Sequence, residues 1–210
     1  MTESNLKPRL LIPDNSPLSL LAMGGPGVLD YLFAPGVEVW VTDMVQMEAT
    51  HDPDEWDAQR REFRADIAAW FERNRNRIKI QKTQAGDEYR KAMINWAASG
   101  KIPETKPSWK GRGESSIINV LEAVEKTTAD NEKVVVLVDD RKARGAIRVT
   151  EGLNIDIMST EAFLRDVERF HGVENATDAW IVIAVAAGYN ENGVSKVPEK
   201  PKEDPILVRK

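Results

Sequence analysis

Along this chain the spacing of apolar residues switches repeatedly between short continuous runs and the three-and-four spacing of a helix. A short all-apolar or alternating run suits a strand, and apolar positions confined to one stripe suit an amphipathic helix. The strand-like runs fall at 10–12, 37–41, 78–80, 134–138 and 154–158. Between them lie helical patterns: Leu18, Leu20, Leu21 and Met23; Val45 to Glu48; Trp56, Phe63, Ile67, Trp70 and Phe71; Tyr89, Met93, Trp96 and Ala97; Ile117, Ile118, Leu121 and Val124; and Phe163, Leu164, Val167 and Phe170. Strands alternating with helices predict an α/β domain with layers α/β/α around a central, mainly parallel sheet.

Start and stop signals sharpen the boundaries. Ser16-Pro17 reads as a helix cap followed by proline in the first turn, and Gly24-Gly25 as its end. Thr42 or Asp43 caps the helix carrying Glu48; Asp52, Pro53 and Glu55 open another; Ser159 or Thr160 caps the one that Gly172 ends. Residues 101–112, with two prolines and four basic side chains, predict a loop, and 141–149 a modest helix. The span 52–107 reads as a helical insertion. Residues 9–170 form one domain, and 171–210 add a C-terminal helix and a tail rich in Lys, Glu and Pro. The helix at 177–187 is apolar almost all round and needs a cover, either from the domain or from a partner.

Composition narrows the chemistry. With 210 residues, 41% of them hydrophobic, the chain can bury a full core. It has no cysteine, which removes disulfides, thiolate metal sites and thiol nucleophiles and points to the cytoplasm. No run is long enough to span a bilayer, so no membrane partner is expected. The net charge is −5, yet residues 56–82 carry eight basic side chains against four acidic ones, a local excess of four that could follow a nucleic-acid backbone. Trp109, in a polar glycine-flanked loop, is a candidate base-stacking residue, and His51 and His171 are the only imidazoles.

Four acidic stretches stand at strand ends or on the helices that follow: Asp14, Glu48, Glu114 and the pair Asp139-Asp140. In an open α/β sheet, ligands bind at the carboxyl ends of the strands, so acids distant in sequence can meet there. Carboxylates gathered at one rim repel each other unless a cation neutralises them, and hard oxygen donors suit Mg²⁺ or Mn²⁺. Taken singly, each has another reading: Asp14 a turn or cap, Glu48 a solvated helix residue, Glu114 a partner of a helix dipole, and one of Asp139-Asp140 a helix cap.

In this order, the residues resemble the PIN-domain ribonucleases, including toxins of toxin-antitoxin pairs. The resemblance rests on Pro13-Asp14-Asn15-Ser16, on Glu48 one turn beyond Thr42-Asp43, on Gly111-Arg112-Gly113-Glu114-Ser115-Ser116-Ile117, and on Val136-Leu137-Val138-Asp139-Asp140-Arg141-Lys142-Ala143-Arg144 with Gly152-Leu153 and Ser159-Thr160 following. It implies a PIN-like α/β/α fold and a metal-dependent endoribonuclease. Asp14, Glu48, Glu114, Asp139 and Asp140 would then be catalytic and metal-binding, the last position being Asp139 or Asp140. Ser16, Arg112 and Arg141 would contact the RNA substrate. It also implies a homodimer and a cognate antitoxin as partners. The alternative is a PIN-like protein that binds RNA in a regulatory role without turning it over.

Overall fold

In the computed structural model, the residues described are 7–25, 27–51, 58–109, 111–126, 132–147 and 153–188. The helix start expected at Asp52 to Glu55, the Trp56 position, Lys110, Gly152 and the tail beyond 188 lie outside them, as do the side chains of Arg60 and Arg61. Five strands, β1 (Lys7–Pro13), β2 (Glu38–Thr42), β3 (Ile78–Gln81), β4 (Glu132–Leu137) and β5 (Ile155–Met158), form one sheet in the order β3-β2-β1-β4-β5. Every pairing is parallel. β3 lies inside the span 52–107 and is an edge strand of that sheet.

Parallel neighbours need a crossover, and each connection here contains at least one helix or 3₁₀ turn. The helices are α1 (Asn15–Met23), α2 (Asp43–Thr50), α3 (Ala58–Arg73), α4 (Gln84–Ala98), α5 (Arg112–Glu125), α6 (Arg141–Ile147), α7 (Thr160–His171) and α8 (Ala176–Ala186), with a 3₁₀ helix at Val28–Phe33. α1 packs with α3, α7 and α8; α5 packs with α4 and α6. These two groups form the layers on either side of the sheet, and α2 bridges them by touching α1, α3, α4 and α5. The result is the three-layer α/β/α architecture expected from the sequence.

β1 and β4, with Leu10, Leu11, Ile12 and Val134 to Val138 all buried, form the centre of the core, joined by Leu21, Trp70, Ile117, Leu121, Phe163 and Leu164. Complete burial on both faces explains why these strands read as unbroken apolar runs. Trp70 keeps its indole N–H satisfied by donating to Asp30 at 2.9 Å. Several boundaries move. α1 starts at Asn15, with Asp14 rather than Ser16 in the cap position, and the Ser16 hydroxyl donates to Asp14 at 3.4 Å instead of to the helix. Thr42 and Ser159 cap α2 and α7 by accepting from Val45 and Ala162. α8 is only half covered, leaving Ile181, Val182 and Val185 exposed.

One buried acid that the sequence offers only as an alternative cap locks the β3 side of the fold. Asp43 Oδ1 accepts from Met44 N at 3.0 Å and from the Thr83 hydroxyl at 2.7 Å, while Oδ2 takes Arg90 at 2.7 Å and Thr83 N at 3.4 Å. The carboxylate thereby ties the start of α2 to the β3–α4 connection. Gly86 packs so closely on it that an added Cβ would collide with the Asp43 carboxylate. Gly86→Ala is therefore expected to lower stability by about 2 to 3 kcal/mol, since a buried charge would lose its partners. Urea denaturation of the variant beside wild type measures this, with no change expected if the carboxylate can move aside.

Candidate functional site

The strand order reverses between β1 and β4: β2 and β3 follow β1 to one side, while β4 and β5 lie on the other. That reversal opens a crevice at the carboxyl ends of the two central strands. Pro13 pairs with Leu137, and Asp14 N donates to Leu137 O at 2.9 Å, so the ladder runs to the edge of the site. Asp14 is thereby fixed by backbone, and the residue is only 9% exposed.

Three of the predicted acids meet here. The Asp14 carboxyl is raised from its ordinary value to about 6: burial is the main cause, the nearby charges of Glu48 and Glu114 add to it, and the Asn15 backbone N–H works against it. Glu48, half-buried on α2, is also raised, first by burial and then by the charge of Glu114, against a hydrogen bond from the Asn15 side chain and the attraction of Arg64. Between them sits Gly113. A Cβ there would stand 3.1 Å from Glu48 Oε2 and 3.5 Å from Asp14 Oδ1, so glycine leaves the room in which the carboxylates face each other.

The start of α5 is held in place by hydroxyls. Ser116 Oγ lies 2.6 Å from both Gly113 O and Thr42 Oγ1, and Thr42 Oγ1 also accepts from Val45 N at 3.1 Å. A carbonyl can only accept, so the Ser116 proton goes to Gly113 O and Thr42 donates to Ser116. This chain of bonds joins the cap of α2, which carries Glu48, to the first turn of α5, which carries Gly113 and Glu114. On the other side, Arg64 of α3 donates to Glu48 O at 3.1 Å and His51 O at 2.6 Å, closing the end of α2.

The fourth stretch divides its two acids between different tasks. Asp139 turns toward α7: Thr160 N donates to Oδ1 at 3.0 Å and the Thr160 hydroxyl to Oδ2 at 2.6 Å. Burial raises its carboxyl, partly offset by those bonds and by Arg144. Asp140 is exposed and caps α6, accepting from Lys142 N at 2.7 Å and Ala143 N at 3.0 Å. The remaining predicted contacts are dispersed. Arg112 donates to Ser108 O and lies over the Tyr89 ring, and Arg141 is exposed at the start of α6. Trp109 is half-buried against Met44, Ala85 and Tyr89 with His51 against it edge-on, so it is no open stacking platform.

The basic stretch does not form one face. α3 descends from the rim, so Arg73, Arg75 and Arg77 lie toward the opposite edge of the sheet, where β3 begins, and Arg77 covers Phe33; Arg64 stays near Glu48. Sequence reading missed Asn15 and Arg64 as the residues that hold Glu48, and Gly113 as the gap between the acids. Asn15 had one signal, its place directly after Asp14; Arg64 had none, because its bonds are to backbone.

Among the described residues, no three carboxylate or imidazole side chains form one metal-coordinating group. Magnesium keeps several of its waters and is commonly held by one or two carboxylates, so Asp14 and Glu48 are a donor pair that fits it. Burial first, and then the neighbouring acid charge, raise both carboxyls, and a bound cation would offset both effects. With no cation bound, the native state holds the Asp14 proton to about pH 6, whereas the unfolded chain releases it near 4. The native state thus binds more protons in that window, and stability falls as pH rises through it. Asp14→Asn should gain on the order of 2 kcal/mol at pH 7.5 in EDTA, with the gain gone below about pH 4. Thermal melts at the two pH values measure it; an equal gain at both would mean that Asp14 charge is not its cause.

No family model, no curated protein and no solved structure matches this chain.

Proposed function

We propose that this chain is a metal-dependent endoribonuclease of the PIN-like kind, acting as the toxin of a toxin-antitoxin pair. The observation that carries the reading is the convergence of Asp14, Glu48 and Glu114 at the strand-order reversal, with Gly113 making room between the first two. Carboxylates that destabilise one another at the crevice of a parallel sheet have a use if a cation and a phosphate meet there. Asp14 and Glu48 would hold Mg²⁺ or Mn²⁺. Bound there, the metal would supply charge for the phosphate oxygens and lower the pKa of a water.

The chain's own side chains account for the rest. The Asn15 side chain favours the charged form of Glu48 against the effect of burial, and Arg64 fixes the helix end from which Glu48 projects. Glu114, half-buried in the first turn of α5, would accept the proton that water loses as its oxygen bonds to phosphorus, while the P–O ester bond breaks and its leaving oxygen takes a proton from solvent water. Ser16 shares Asp14 Oδ2 and can turn its hydroxyl to a phosphate oxygen. Asp139 acts through Thr160, holding the start of α7 beside the rim, and Asp140 serves α6. A second copy of the chain and a cognate antitoxin belong to the same proposal as partners.

A second reading, an RNA-binding protein without turnover, is favoured by one observation: both Asp139 oxygens are already engaged by Thr160. Labelled single-stranded RNAs incubated with Mg²⁺, Mn²⁺ or EDTA decide between the two. Cleavage is expected with either metal and not with EDTA. Asp14→Asn and Glu48→Gln should each slow it at least about 100-fold, the scale on which loss of a preorganised charged group is felt. Asp140→Asn should leave the rate within about threefold and cost at most about 1 kcal/mol of stability. RNA bound tightly by wild type but never cut would establish the second reading.

A further inference from the structure

A separate cleft of about 300 Å³ lies on the face that carries α4 and α5. Trp40, Gln81, Lys82, Gln84, Asn119 and Lys126 line it. Its size suits one base with its sugar and excludes a duplex, and its lining combines an aromatic ring, side-chain amides and cations. Those are the groups by which proteins hold a nucleotide of a single strand: stacking on the ring, hydrogen bonds to the base edge, and charge on the phosphates.

The side chains are prepared for this use to different degrees. The Trp40 indole N–H donates to Glu38 at 2.9 Å, and Lys79 binds the same carboxylate at 2.7 Å, so the ring is held by its edge while it lines the cleft. Asn119 Oδ1 accepts from Ala85 N at 3.1 Å, which orients its amide and leaves the Nδ2 donors for another acceptor. Gln81 makes no side-chain hydrogen bond among the described residues, and neither Lys82 nor Lys126 makes an ion pair there. Among the lining residues two lysines stand against one acid, Glu122, with Asp87 near Lys82 outside the lining, so the lining itself is net positive within a chain of net charge −5. In the first turn of α4 the N–H groups of Ala85, Gly86 and Asp87 are already spent on Asn119 and Thr83, so the lysines are the main charge for the phosphates.

The cleft is also placed in line with the acids. α5 starts at the rim with Glu114 and passes the cleft at Asn119 and Lys126, about 8 and 18 Å further along its axis. We propose that this cleft holds one base of a single-stranded RNA a short way from the scissile phosphate, stacked on Trp40, read by Gln81 and Asn119, and flanked by Lys82 and Lys126. The proposal rests on the endoribonuclease reading for the scissile phosphate. The cleft itself can be tested by binding alone.

Full-length protein carrying Asp14→Asn, kept in EDTA, is expected to leave RNA intact, and fluorescence anisotropy with labelled octanucleotides of U, C, A or G reads affinity. In that background Trp40→Leu should weaken binding roughly tenfold. Gln81→Leu should change the ranking of the four sequences, and Lys126→Glu should weaken all four and flatten the salt dependence. Circular dichroism checks that Trp40→Leu folds; if it does not, the exposed Lys126 and the unbonded Gln81 carry the test. Binding and ranking unchanged in the folded variants would overturn the proposal, even where wild type cleaves RNA with Mg²⁺. Weakened binding in the cleft variants, with no cleavage by wild type, would keep the base site and overturn the endoribonuclease.

Discussion

The parallel ladder of β1 with β4 is the constraint from which the rest of this structure follows. Because both strands point the same way and their register runs through Pro13 and Leu137, the residues just beyond them emerge side by side. Adjacent strands stand about 4.8 Å apart, so Asp14 and Asp139 cannot be far from one another however the helices pack. Helices are needed to return the chain, and each one that follows a strand must begin at that same edge. Glu48 of α2 arrives at the crevice by this rule, and Glu114 arrives by the return of α5 toward the start of β4.

Burial then makes the meeting of acids costly. Asp14 is enclosed by the β1–α1 corner, and its charge has few donors beyond Asn15 and Ser16. Asp43, equally buried at the end of the neighbouring strand β2, shows the contrast, because an arginine, a hydroxyl and two backbone N–H groups surround it. One acid is matched within the chain, and the other is left short of positive charge. Local instability of this kind is typical where a site must bind something charged, since a fully satisfied carboxylate has little left to offer a ligand.

Much of the fold was legible because burial writes a period into the sequence. The apolar run at 134–138 announced a central strand, and the stripe Ile117, Leu121 and Val124 announced the buried face of α5. Capping residues were legible for the same local reason, as at Thr42 and Ser159. The site was legible only as a set of residue types. Nothing in Asp139-Asp140 told which acid would cap α6 and which would bond to Thr160, twenty-one residues on. Nor could the charge excess in 56–82 show that α3 carries Arg73 to Arg77 away from the rim, because direction along an element is set by topology.

The alternation of strand and helix, the layers, and the four places where an acid follows a strand or opens a helix depend on neighbours a few residues away, and so can be read along the chain. What each acid does depends on segments that meet in space. The tertiary structure joined Asp14 and Glu48 across Gly113, brought Glu114 beside them, turned Asp139 to Thr160, spent Asp140 on α6, and used Asp43 to fasten β2 to α4. A carboxylate's role is set by the donors and charges within a few ångströms of it, and chain connectivity does not list those.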